Sequence, residues 1–234
     1  ARWAFFAIII ILTVPSFIAQ SRVDYYYTTE HYLPETSPAV MDTTEIRNTF
    51  GSTEVVYVVT PNGDKIKEKE LMDKIKEIDV VDSVWGIWEQ VPVTIPDSII
   101  PQDVMDSFSN HQYSFFSVIM KTSADDGRTF KAISKIRSLA GGLYDEYYVT
   151  GPAALVKDLA DLVDTDNKRV AIVSIALIAV ILAFSFKSLS IPFILILAIQ
   201  LAIWMNLSIP YYFNDRLSSL TPMIIGAIQL GATV

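Results

Sequence analysis

Residues 170–186 read VAIVSIALIAVILAFSF, residues 187–190 read KSLS, and residues 191–212 read IPFILILAIQLAIWMNLSIPYY. Two uncharged apolar runs are separated by four residues. A helix that crosses a bilayer needs about 20 mostly apolar residues. The first run is somewhat short, but Lys168-Arg169 and Lys187 flank it. Their aliphatic stems lie along apolar surface while the charges reach water. The reading is a membrane hairpin, with helices over 168–187 and 190–212. Two buried helices of a soluble protein are the competing reading, which run length and the short connection disfavour.

Two more runs lie outward of this hairpin. Residues 3–21 carry no Asp, Glu, Lys or Arg, and residues 217–234 read LSSLTPMIIGAIQLGATV. The expectation is a first transmembrane helix over 1–21 and a fourth, truncated one over 217–234. A cleavable signal sequence competes for residues 1–21, with Arg2 as its basic end and Ala19-Gln20-Ser21 as small residues for cleavage. The first residue is Ala1 rather than Met, so the true start is expected upstream. Trp3, Tyr25, Tyr26, Tyr27, Trp204, Tyr211, Tyr212 and Phe213 fall near the ends of these runs, where aromatic belts concentrate.

Charge separates the chain into two kinds of region. Residues 20–167 hold 13 Lys+Arg and 25 Asp+Glu, a net of −12, whereas the rest carries +4. So acidic a block argues against nucleic acid, whose binders show a basic footprint. At 51% hydrophobic residues, the chain is no disordered polypeptide. It has no cysteine and two histidines, so no disulfide framework and little material for a metal site. Neither a metal nor a cofactor is expected. Arg2 and Lys187 share one side of the hairpin topology, and the positive-inside rule makes that side cytoplasmic. Lys168 and Arg169 weigh against it. Residues 22–167 are thereby assigned to an extracytoplasmic domain.

That domain reads as α/β. Glu54–Thr60 is rich in β-branched residues and predicts a strand. Pro61-Asn62-Gly63-Asp64 is a turn. Lys65–Asp79 sets Ile66, Leu71, Ile75 and Ile78 on one helical face. Val80–Trp88 predicts a second strand, and a looser stretch with Pro92, Pro96 and Pro101 follows. Gln112–Thr122 predicts a third strand, Arg128–Ala140 an amphipathic helix and Tyr144–Thr150 a fourth strand. Two β-α-β units make the pattern of a ferredoxin-like, split βαβ domain. Gly151-Pro152 opens a final helix that runs into residues 168–187 without a break signal.

No nucleophile, base and acid converge, and no glycine-rich phosphate loop appears, so no enzyme is expected. His31 and His111 stand alone in polar loops, and Asp125-Asp126 reads as a turn. In the fourth run, Ala227 and Gly231 are four apart, a small-xxx-small spacing that permits close helix approach. Gly226 adds to that face. Gln229 and Thr233, also four apart, form a neighbouring polar stripe for interhelical hydrogen bonds or a relay. Gly151 and Pro152 are a candidate hinge.

The order of span, large outer α/β domain and tight run of spans resembles the resistance-nodulation-division superfamily of transporters. It is most similar to the mycobacterial-membrane-protein-large (MMPL) type of predicted exporter. The stretches that carry the resemblance are Tyr32–Pro38 (YLPETSP), Phe50-Gly51, Val149–Ala153 (VTGPA), Phe186–Pro192 (FKSLSIP) and Gln229–Val234 (QLGATV). The resemblance makes Lys187 and Pro192 part of a cytoplasmic turn, where the family often has Arg in place of Lys187. It also implies an Asp-Tyr pair directly after a segment like Gly231–Val234, the aspartate being the proton-relay group. The sequence ends at Val234 without it, and holds four of the twelve spans of the usual two-half architecture. The expectation is a fragment.

What the resemblance implies is a porter-type outer domain between the first and second of four transmembrane helices. The function expected is secondary-active, proton-driven export of lipids or other hydrophobic molecules, from the plasma membrane of a prokaryote. A lipid- or sterol-sensing or protein-export accessory protein of the same fold is the alternative, and a membrane-anchored binding or structural protein a third. Expected partners are membrane lipids, a hydrophobic substrate and the remaining helices of the full-length protein. Homo-oligomer formation is left open.

Overall fold

The computed structural model describes residues 2–51, 54–187 and 190–233, with side chains outside 2–10, 29–30, 230 and 232–233. Ser188, Leu189 and Val234, which the sequence reading used, lie outside the described residues. So do the side chains of Trp3 and Thr233. The helices in chain order are α1 (Arg2–Gln20), α2 (Pro38–Phe50), α3 (Lys65–Lys76), α4 (Ile87–Gln90), α5 (Gln102–Phe108), α6 (Gly127–Leu143), α7 (Pro152–Phe186), α8 (Ser190–Phe213) and α9 (Thr221–Thr233). The strands are β1 (Tyr25–Tyr26), β2 (Val55–Pro61), β3 (Val81–Trp85), β4 (Tyr113–Met120), β5 (Tyr148–Thr150) and β6 (Leu217–Ser218). The chain divides into two compact units, residues 28–159 and residues 1–27 with 160–234.

In the 28–159 unit, the four-stranded sheet runs β3-β4-β2-β5, and every neighbouring pair is antiparallel. Along β4, Ser114, Phe116, Val118 and Met120 are buried and alternate with half-buried residues. That is the period of two expected when one sheet face meets a core. Leu71, Met72 and Ile75 of α3 and Ile133, Ile136 and Ala140 of α6 share that core with Val56 and Val58. Both helices are started by an aspartate. Asp64 accepts from the Lys67 N–H and Asp126 from the Arg128 N–H, each satisfying a first-turn donor.

Three local readings change here. The second strand was read over Val80–Trp88, but β3 ends at Trp85. Gly86 precedes the short α4, and a Cβ there would lie 2.4 Å from Met72 Cε and 2.7 Å from Phe116 Cβ. Only a residue without a side chain lets the backbone come so near the core, and α4 then buries Ile87 and Trp88. The fourth strand is only Tyr148–Thr150, not Tyr144–Thr150. Helix α2 went unread, since its composition lacks an apolar stripe and none of its residues is buried.

In the other unit, α7 and α8 are long and apolar enough to cross a membrane, and the described side chains of α1 form a shorter apolar stretch, Ile11–Gln20. At 1.5 Å per residue, the 35 residues of α7 span about 52 Å. A hydrocarbon core is about 30 Å thick, so it holds only part of that helix. Asp158, Asp161, Asp164 and Asp166 all fall in its first half, and its second half is uncharged. Phe184 is 82% exposed and Ile172 69%. Such apolar exposure suits hydrocarbon and would be an aggregation liability in water.

Helix α8 stops at Asn214, in the left-handed region at φ +54. Asp215 N–H donates to the Pro210 carbonyl and Asn214 N–H to that of Tyr211, a Schellman stop. The chain then forms β6, which pairs in parallel with β1. Leu217 N–H donates to the Asp24 carbonyl, Ser219 N–H to that of Tyr26, and the Arg216 guanidinium to that of Tyr25. Leu217 and Ser218, read as the start of a fourth span, are therefore a strand, and the helix begins at Thr221.

Candidate functional site

One concave feature of the 1–27/160–234 unit is formed by α1, α7, α8 and α9. Phe17 and Trp204 lock α1 to α8 edge to face, with ring centroids 4.8 Å apart. Ile199, Ile203 and Leu207 of α8 are buried, with Ile178 of α7 and Ile225 of α9 against them. Beside this contact lies a cleft of about 310 Å³. Its apolar wall includes Ile175, Ile203, Trp204 and Met223, and its polar groups include Gln20, Asn167, Lys168 and Gln200. Trp204, read as part of an interface belt, instead lines this cleft nine residues before the end of α8.

A second cavity of about 440 Å³ shares Gln20, Asn167, Lys168, Leu207 and Pro222 with the first. Beside Val163, its other walls are Ser21, Tyr25, Tyr27, Asp164 and Ser219. Lys168 Nζ and Asp164 Oδ2 are 2.6 Å apart, one helical turn from each other on α7. Burial pushes the phenols of Tyr25 and Tyr27 above their usual range, and the nearby carboxylate of Asp164 acts in the same direction. Both hydroxyls therefore stay protonated at neutral pH. The Oδ1 of Asn167 is buried and has no hydrogen-bond partner among the described residues.

The residues singled out from sequence are distributed as follows. Gly226 and Ala227 line the cleft. Gln229 is half-buried and outside the lining, Gly231 is exposed, and the Thr233 side chain is not described. A Cβ on Gly226 or Gly231 would meet nothing within 4 Å. Close approach of another described helix is thus not what these glycines serve. Gly151 and Pro152 fall in the 28–159 unit. Gly151 sits at φ +109, and a Cβ there would lie 2.8 Å from the Val55 carbonyl oxygen, so this corner is both left-handed and tight. Pro152 begins α7, where its missing N–H costs nothing. Lys187 follows α7 at φ +46, and Pro192 is buried in the first turn of α8.

The 28–159 unit also gathers polar groups. Glu68 is buried and accepts from Ser114 Oγ at 2.7 Å and Trp88 Nε1 at 3.2 Å. Burial raises its pKa, and the two hydrogen bonds oppose that. His31, read as solitary, has its Nε2 3.4 Å from Oδ2 of the buried Asp125. The neighbouring Asp126 caps α6, so the acidic pair splits between two tasks. Among the described residues, no three His, Cys, Asp or Glu side chains gather as metal ligands. No sequence signal linked residue 31 to residue 125, or Asn167 to Tyr25. His31 and Asp125 meet, and Asn167 and Tyr25 line one cavity, although each pair lies far apart in the chain.

Two helices long and apolar enough to cross a membrane stand beside an amphipathic cleft, and the α/β unit lies in the chain between α1 and the second half of α7. The MMPL family model matches residues 32–234, and the chain belongs to that family. It is thereby a membrane transporter of the resistance-nodulation-division kind. No curated protein matches the chain.

Proposed function

We propose that the protein is a secondary-active exporter, moving lipids or other hydrophobic molecules at the expense of a proton gradient across a prokaryotic plasma membrane. Four transmembrane helices, α1, the second half of α7, α8 and α9, form the membrane part. Residues 28–159 form an extracytoplasmic porter-type domain. Its β-α-β-β-α-β order and the sheet order β3-β4-β2-β5 support a ferredoxin-like fold. The observation that carries the functional reading is the amphipathic cleft among α1, α7, α8 and α9, the kind of concave and mostly apolar surface that small hydrophobic ligands use. Helix α7 is continuous from Pro152 to Phe186.

The test is export of a fluorescent lipid from cells that produce the protein, with and without a protonophore. Export that depends on the protein and collapses with the gradient is expected. Export indifferent to the protonophore would exclude proton drive. A second reading, a lipid sensor of the same fold, is favoured by one feature. The 310 Å³ cleft is walled by amides and a lysine, with no carboxylate among its described lining residues, so holding a lipid there needs no proton. A protein without export activity that still binds lipid would be such a sensor.

A further inference from the structure

The two cavities beside Asn167 share a boundary, and the second is the more polar of the two. One is walled by Ile175, Ile203, Trp204 and Met223, the other by Tyr25, Tyr27, Asp164 and Ser219. Each falls within the volume range of small-molecule sites. Together they match a molecule with a hydrocarbon end and a polar end. Asn167 lines both, at the junction where the polar group of such a molecule would sit. A buried amide oxygen without a partner is costly, and a hydrogen-bond donor arriving there removes the cost. The last torsion of an asparagine side chain is soft, so a small turn presents Oδ1 to either cavity.

The charges select among head groups. Lys168 is already held by Asp164, and Tyr27 also feels the carboxylate of Asp161. An anionic head would meet those carboxylates, with Lys168 on Asp164 and with Arg216, which also acts on Tyr27, donating to the Tyr25 carbonyl. A neutral head with hydroxyl groups would instead donate to Asn167 Oδ1 and Asp164.

We propose that the cleft among α1, α7, α8 and α9 binds a neutral, hydroxyl-headed amphiphile, with its hydroxyl on Asn167 and its chain against Trp204 and Ile203. The proposal rests on the membrane reading above and names the lipid class this site takes. It requires no transport.

The test is equilibrium binding to the full chain in phosphatidylcholine nanodiscs, whose lipid head groups donate no hydrogen bond. The probes are a dibrominated monoacylglycerol and the corresponding dibrominated fatty acid at pH 8. Bromine quenches indole fluorescence at short range, and Trp204→Phe identifies the share of the signal that comes from the cleft. Saturable quenching of Trp204 by the monoacylglycerol is expected, with the fatty acid about tenfold weaker. Asn167→Leu weakens the monoacylglycerol about tenfold and leaves the fatty acid unchanged, the size of effect that one buried hydrogen bond produces. Gly226→Leu provides the second variant. Its Cβ position is open, so the helix is kept while the cleft is filled, and binding of both probes is lost. Equal affinity for the two probes, or indifference to Asn167→Leu, would overturn the head-group assignment. Quenching unaffected by Gly226→Leu would overturn the site. Because no gradient is applied, a protein that binds but does not export retains this site and loses only the exporter reading.

Discussion

Phe116 and Phe184 carry the same side chain into opposite surroundings. The first is wholly buried between the β2-β4 sheet and its helices, and the second is 82% exposed near the end of α7. The 28–159 unit gathers the apolar residues of its sheet and of α3 and α6 into one core, as water demands, while Phe50 and Ile66 stay exposed and Glu68 and Asp125 are buried. The other unit buries few large side chains beyond Ile199, Ile203 and Leu207 and turns its apolar bulk outward. That arrangement is stable only where the solvent is itself apolar. In lipid, apolar burial no longer drives helix association, and shape and hydrogen bonds decide the packing. The membrane unit accordingly retains an amphipathic cleft, whereas the other unit fills its core.

The sharpest break in this contrast is a pair of truncations. Phe116→Ala should destabilise the 28–159 unit by about 3–5 kcal/mol through lost burial and the cavity it leaves. Phe184→Ala should stay within about 0.5 kcal/mol, as for an exposed substitution. Hydrogen exchange of the full chain, followed on peptides from 113–120, gives the first number, and thermal unfolding in nanodiscs gives the second. Comparable losses at both sites would dissolve the distinction.

Gly151→Ala comes next. It combines a left-handed backbone with a contact 2.8 Å from the Val55 carbonyl. A cost of about 1–3 kcal/mol is expected, read from exchange in β2. Gly226→Ala is its membrane counterpart, with open space and ordinary helix geometry. It should be neutral or stabilising by up to about 1 kcal/mol. A large loss at Gly226 would mean that a close helix contact exists there after all.

How legible each region was follows from the same physics. The β-branched run of β2 and most of the apolar stripes of α3 and α6 were readable because water enforces them, but Ile66, read into the α3 stripe, is 70% exposed. The stop at Gly86 was not, because it depends on Met72 and Phe116, which meet it only in the folded core. The runs behind α7 and α8 were plain from length and absence of charge. The cleft between them was not, because one sequence carries no phase relation between helices. Tyr25 and Arg216 are 191 residues apart, and nothing local announced the two-residue strands that join them. The small residues of α9 were visible, but sequence spacing suggested close packing, whereas Gly226 opens onto a cleft.

Titration sharpens the contrast more gently. The folded-state pKa of Glu68 is raised by burial, so the folded unit favours the protonated form. Its contribution to stability is fully present below the unfolded value near 4.5 and is lost as pH rises through the raised value. Glu68→Gln, which removes the charge, should stabilise the unit at pH 7 and flatten the pH dependence above 4.5. Asp158 behaves oppositely, since its bidentate hydrogen bonds to Arg137 hold its pKa down. That stability is present above 3.8 and is lost as pH falls through the lowered value. Both side chains are part-exposed, so Asp158→Asn should cost no more than about 1 kcal/mol at pH 7. Urea unfolding of the 28–159 unit within the full chain, followed by Trp85 and Trp88 fluorescence across pH 3–8, measures both.

The most direct test concerns sidedness, because the proposed exporter needs residues 28–159 outside and the α7–α8 turn inside. The sequence contains no cysteine, so single cysteines report without background. Ile66 on α3 is 70% exposed, and Lys187 directly follows α7. A membrane-impermeant maleimide applied to intact cells should label Ile66→Cys at once and Lys187→Cys only after the membrane is opened. Labelling of Lys187→Cys in intact cells, with Ile66→Cys protected, would contradict the orientation on which the transporter reading stands.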